Sequence, residues 1–229
     1  MRPVDKGTAP RVYDVYGDAK HDLATRIGYY CSYCEMSIIH MGEVEHVIPK
    51  THWAAGELEW GNFLLSCKFC NNSPLKKRNT SRNGYYWPDN DNTFLALSYS
   101  EQYTVRPNPN LTNAKTTIAQ ATIDLTGIDK FPGNPNGKEP TLADTRWRSR
   151  FQAWQFAKDS YNDWNNNPTQ EIVNTIVRIA SGHGHFSIWM TVFNNVPVVK
   201  NAIIAAFPNT ARDCFDNNGN PVNRPNGSI

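Results

Sequence analysis

Two C-x-x-C pairs, Cys31/Cys34 and Cys67/Cys70, account for four of the five cysteines in the chain. Where thiols stay reduced, that spacing reads as a metal site before it reads as a disulfide framework. Four thiolates fill a tetrahedral zinc shell and leave no open position, so the implied ion is structural. The pairs are separated by 32 residues, more than a compact zinc ribbon needs, so a sizeable element is expected between the two knuckles. Cys214 stands alone and is expected to be packed.

Reduced thiols agree with the rest of the sequence. No stretch approaches the ~20 apolar residues of a membrane span, and the opening "MRPVDKGTAPRVYDVYGDAK" lacks the apolar run of a signal peptide. A cytoplasmic protein with no membrane association is therefore expected. Net charge is only +2, which by itself argues for no partner. Its distribution says more. Residues 61–88 hold Lys68, Lys76, Lys77, Arg78 and Arg82 and no acid, so the window is +5 and the remainder −3. Such a patch is either a solvated loop or a seat for a phosphate backbone.

Periodicity divides the chain. Leu23, Ile27 and Tyr30 fall at helical spacing ahead of the first knuckle. "SIIHMGEVEHVIP" has two short runs around Met41-Gly42, the pattern of a hairpin ended by Pro49. Beyond residue 83 come a turn-rich connector and a short helix at "AKTTIAQATIDLTG". Thr141 with Asp144 then looks like a capping box for a helix with a Trp-rich stripe (Trp147, Trp154, Trp164), expected to be core. "PTQEIVNTIVRIA", with Pro168 in its first turn, and "VPVVKNAIIAAF" read as further helices. The expected division is a lead-in segment at 1–27, a core at 28–82, a connector at 83–139 and a helical region at 140–229.

Between and just after the knuckles stand Glu45-His46, Asn62 and Asn71. Each has a purely structural alternative: a solvated strand residue, a hydrogen-bonded core histidine, a turn former after Gly61 and a helix cap. Taken in order on one zinc scaffold, C-x-x-C, E-H, N and C-x-x-C-N resemble the HNH, or ββα-metal, endonuclease motif in its four-cysteine form. The resemblance implies a ββα-metal core stapled by a four-cysteine zinc site; with the helices read downstream, the expected chain is α+β, mainly α, with a helical C-terminal half.

It also implies roles. His46 would be the general base that deprotonates the attacking water, and Asn62 would orient it. Glu45 and Asn71 would hold one catalytic Mg²⁺ or Mn²⁺. Lys50, Lys68, Lys76, Lys77 and Arg78 would contact the DNA backbone without reading sequence. "CNNSPLKK" departs from the family's shorter C-N-x-x-K spacing, which leaves its motif lysine unassigned. His40 and His52 have no evident company, and His183-x-His185 lacks the carboxylate or cysteine that would make a second metal site.

More loosely, "MRPVDKG", "YYCSYCE", "EVEHVIPK" with "LEWGNFLLSCKFCNN", and "TTIAQATIDLTGID" resemble the HNH subunit of Septu-type anti-phage systems and related retron-associated nucleases. That likeness implies an ATPase partner. Two alternatives stay open on the sequence: a non-catalytic zinc module that binds nucleic acid, and an RNase or tRNA-directed toxin on the same scaffold.

Overall fold

A computed structural model describes residues 1–101 and 104–229 of the chain. Helix α1 (Ala19–Ile27) buries Ala19, Leu23, Ala24 and Ile27, which share one face at the spacing an amphipathic helix requires. Gly28, at φ +77°, ends it in a conformation that glycine adopts without cost. The first knuckle follows at once. Cys31 N donates to Met36 O at 3.0 Å and Glu35 N to Cys31 O at 2.9 Å, so residues 31–36 close into a tight turn.

The expected hairpin around Met41-Gly42 does not form. Residues 36–38 are engaged elsewhere: Ser37 bridges Tyr30, Met36 bridges Gly184, and Ile38 N donates to Tyr29 O at 2.8 Å. Strand β1 (Gly42–His46) instead pairs antiparallel with β2 (Phe63–Cys67), in a register that sets Gly42 against Cys67 and His46 against Phe63. Every residue of β2 is buried, so that strand is covered on both faces, whereas Glu43 and His46 of β1 are only partly buried. Helix α2 (Lys68–Asn71) follows β2 directly. The order β1, β2, α2 is the ββα unit, with a long loop between its strands.

The connector contributes α3 (Thr93–Ala96), a second two-stranded sheet of β3 (Leu97–Tyr99) and β4 (Val105–Pro107), and α4 (Asn113–Thr126). Helix α4 ends at Gly127 in the left-handed conformation. Four helices complete the chain: α5 (Arg146–Asn166), α6 (Gln170–His183), α7 (Phe186–Val192) and α8 (Pro197–Ala206). The chain is thus α+β and mainly α, as expected.

Details of the helical half differ from the sequence reading. Helix α5 begins two residues after Asp144, whose Oδ1 accepts from Arg146 N at 3.3 Å; Thr141 only closes a turn by accepting from Asp144 N at 3.0 Å. Its buried face is Arg146, Arg150, Ala153, Ala157 and Ser160, not the tryptophan stripe. The small residues Ala153 and Ala157 share a core with α6 and α7, and Trp154 and Trp164 pack from the flank, partly exposed. Pro168 lies ahead of the N-cap Thr169, which accepts from Ile172 N at 3.4 Å. In α8 Pro197 occupies the first turn, where its missing N–H is not needed.

Two apolar cores result. One gathers α1, both knuckles, β1, β2 and α4; the other gathers α5 to α8 around the fully buried Trp189. They are joined at Glu35. Its carboxylate accepts from Ser187 Oγ at 2.6 Å and Ser187 N at 3.2 Å, and its carbonyl accepts from His185 N at 2.8 Å. Gly184 sits at φ +77° in this junction, where an added Cβ would lie 2.3 Å from Glu35 O. No other residue fits that close approach. Cys214 is buried, as expected.

Candidate active site and zinc site

The four knuckle cysteines converge. Their sulfurs all lie within 4.8 Å of one another and all four residues are buried. Cys34 and Cys67 Sγ are 3.7 Å apart, which is close to the ~3.8 Å edge of a tetrahedron with Zn–S bonds of ~2.3 Å. Protonated thiols cannot share so small a space comfortably. Burial pushes the Cys31 thiol well up, hydrogen bonds with its three neighbours push Cys34 up, and donation from those neighbours pulls Cys67 down. A bound zinc would take all four sulfurs as thiolates. The cluster fits a structural zinc site, and it needs no fifth ligand.

The zinc site is braced from the helical half. Arg146 Nη1 donates to Cys70 Sγ at 3.1 Å, a charge-assisted contact to a metal-ligating sulfur. The same guanidinium forks onto Asp144 at 2.8 and 2.7 Å and donates to the carbonyls of Thr126 and Gly127. Nothing in the sequence pattern points to Arg146, because its partners lie on three separate segments.

β1 separates the two residues of the Glu45-His46 pair, as strand alternation demands. His46 lies on the side of a cavity of about 370 Å³, lined also by Tyr16, Val44, Lys50, Asn71, Asn72 and Lys77 among others. Its Nε2 is 3.0 Å from Glu57 O. A carbonyl only accepts, so Nε2 carries the proton and Nδ1 is the free base. Tyr16 and Phe63 meet the ring edge-on at 4.9 and 5.3 Å and hold its plane. Burial lowers the His46 pKa, partly opposed by the Glu57 carbonyl, so the imidazole is neutral near pH 7.

Asn62 is buried and acts one step removed. It accepts from Ile48 N at 2.8 Å and donates to Ile48 O and Gly56 O at 2.9 and 3.0 Å. These bonds clamp the two ends of the loop that delivers Glu57 O to His46. Tyr16 and the Glu57 carbonyl are site elements that the sequence reading missed, since neither bears a motif.

Glu45 departs from its expected place. It is fully buried, on the opposite side of β1, with Oε1 2.7 Å from Lys76 Nζ and 3.0 Å from Tyr33 Oη. Burial pushes its carboxyl up to about 7, opposed by the Lys76 ammonium. Lys76 departs too. Its ammonium also donates to His46 O at 2.6 Å and Val47 O at 2.7 Å, and the residue is 2% exposed. Lys76 borders the same cavity, but its ammonium is taken up by three oxygens beneath β1 and not free for a phosphate. Asn71 does reach the cavity, but its amide donates to Glu43 Oε2 at 2.8 Å; the acidic side chain beside it is Glu43, two positions before Glu45.

Of the other cations, Lys50 and Lys77 line the cavity, Lys50 bonded to Glu57 at 2.8 Å. Lys68 and Arg78 are exposed, Arg78 at the edge of a neighbouring polar hollow with Asn79, Tyr85 and Asp124. His52 is exposed and 3.3 Å from Lys77 O, and His40 is exposed. His185 is buried, its Nε2 2.7 Å from Ser149 Oγ, whereas His183 packs on Phe156. Among the described residues the four cysteines are the one group of three or more His, Cys, Asp and Glu side chains placed to hold a metal ion.

The HNH endonuclease family model matches residues 31–75, the stretch from the first knuckle through β1, β2 and α2. No curated protein matches the chain. The family match supports a nuclease function, with nucleic acid as the substrate class, and the cysteine cluster fits the zinc site of such a domain. Among the described residues no helix is long and apolar enough to cross a membrane.

Proposed function

We propose that the protein is a divalent-metal-dependent endonuclease that hydrolyses phosphodiester bonds in DNA. The observation that carries this reading is the hydrogen bond from His46 Nε2 to Glu57 O, which leaves a neutral imidazole with Nδ1 unprotonated at the wall of an open, lysine-rimmed cavity. From there Nδ1 accepts the proton of a water as its oxygen attacks phosphorus. Lys50 and Lys77 seat the phosphates on either side, and Asn62 keeps the loop under His46 in register. A divalent cation held in the cavity would offset the negative charge that develops on the phosphate. Asn71, which lines the cavity, would offer an oxygen donor for Mg²⁺ or Mn²⁺ there.

At the level of the cell, we read the protein as the cytoplasmic nuclease effector of an anti-phage system working with an ATPase partner. Residues 140–229 would serve as the docking layer and supply no catalytic group. The test is nicking of plasmid DNA by the pure protein with Mg²⁺ or Mn²⁺, beside an RNA substrate and with or without the product of the neighbouring gene. His46→Ala should cut cleavage by a factor on the order of 10² or more while DNA binding persists. Cleavage of RNA alone, or full activity in His46→Ala, would refute the reading.

A further inference from the structure

The Lys76 ammonium is held by three oxygens of β1 and the residue after it: the Glu45 carboxylate at 2.7 Å and the carbonyls of His46 and Val47 at 2.6 and 2.7 Å. The indole of Trp87 lies 6.0 Å away as a cation–π partner, and Asn79 Nδ2 adds a second donor to Val47 O at 3.0 Å. Glu45 in turn is enclosed by Tyr33 Oη at 3.0 Å and Ser66 Oγ at 3.5 Å. Both side chains are buried, at 0% and 2% exposure. A divalent ion at Glu45 would have to displace this ammonium and break two backbone bonds. The carbonyls it holds belong to the base residue itself and to its neighbour.

We propose, resting on the nuclease reading above, that Lys76 is a positioning residue for the base and that Glu45 is its buried counter-ion, not a ligand of the catalytic cation. Drawing the carbonyls of His46 and Val47 toward one ammonium fixes the peptide planes at the end of β1. The imidazole is then presented at one angle to Glu57 O, which selects the Nε2–H tautomer. Glu45 supplies the charge that makes a buried ammonium tolerable. Lys76 lies one residue beyond the family match at 31–75, and the unusual spacing of "CNNSPLKK" is what carries a lysine far enough past α2 to reach back under β1.

Glu45→Gln, Lys76→Met and the double variant, assayed with His46→Ala as the inactive control, separate the possibilities. Each single change leaves one buried charge unpaired and lowers the melting temperature; the double change removes both charges and should restore melting and zinc content. Cleavage should not return with it. Methionine cannot donate to the two carbonyls, so kcat of the double variant should stay roughly 10- to 10²-fold down, as for a reacting group misplaced by about an ångström. The half-saturating Mg²⁺ concentration should stay within about twofold of wild type, whereas loss of a true ligand raises it tenfold or more.

A tenfold rise in Glu45→Gln would make Glu45 a cation ligand and overturn the proposal. Recovery of kcat together with stability in the double variant would reduce the pair to a structural role. The ¹⁵N resonances of His46 give a readout that survives even if the wild-type protein cleaves nothing and the nuclease reading fails. Wild type should show Nε2–H alone, and Lys76→Met in the Glu45→Gln background should show mixed tautomers. An unchanged single tautomer would refute positioning.

Discussion

Arg146→Leu should be among the most damaging single substitutions outside the knuckle itself. The guanidinium uses all of its donors: two on Asp144 at 2.8 and 2.7 Å, two on the carbonyls of Thr126 and Gly127 at 3.1 and 2.9 Å, and one on Cys70 Sγ at 3.1 Å. Arg146 and Asp144 side chains are only 4% and 6% exposed. Leucine fills much of the volume but leaves the Asp144 carboxylate buried without its cation, a situation that costs about 3–5 kcal/mol. For a chain of this size each kcal/mol lowers the melting temperature by about 2–4 °C, so the expected fall is roughly 6–20 °C. Calorimetry or circular dichroism on the zinc-loaded protein reads it directly. Release of zinc to a chelator should also become faster, because Cys70 loses a donor that stabilises its thiolate. Adding Asp144→Leu to the variant removes the stranded charge and should recover a large part of the loss. A fall of less than ~3 °C in Arg146→Leu, or no recovery in the double variant, would show that the fork is not a buried ion pair of the kind described.

Two further outcomes follow from the site. Cys67→Ser should lose about one zinc per chain by elemental analysis and with it the folded knuckle, since structural zinc supplies on the order of 10 kcal/mol in small metallodomains; a folded, zinc-free variant would contradict the cluster's role. For pH dependence, burial lowers the His46 pKa, so the neutral base persists below the ordinary imidazole value of about 6.5. The acidic limb of kcat/KM should accordingly lie below that value and vanish in His46→Ala, and an apparent pKa above it would remove His46 from the base position.

The sequence by itself determines what local chemistry can determine. Two C-x-x-C pairs can converge on one tetrahedral ion because each turn presents its sulfurs together, and Cys31, Cys34, Cys67 and Cys70 do so. Spacing alone likewise marks α1, α4, α6 and α8, whose apolar positions repeat at the helical period. The partner of β1 is not legible in this way because strand pairing is non-local: "SIIH" and "FLLSC" compete for Gly42–His46, and the choice is made by the knuckle, which engages the backbone of residues 36–38 in bonds to Tyr29, Tyr30 and Gly184. Capping and burial in α5 are decided by neighbours too, as Arg146 answers to Cys70, Thr126 and Gly127 rather than to its own helix. The same distinction runs through the candidate site. Alternation along β1 separates Glu45 from His46, and that is legible. Which of them meets solvent is not, because it depends on a lysine 31 positions beyond Glu45 whose ammonium, once buried, must find a carboxylate, and Glu45 is the one within reach.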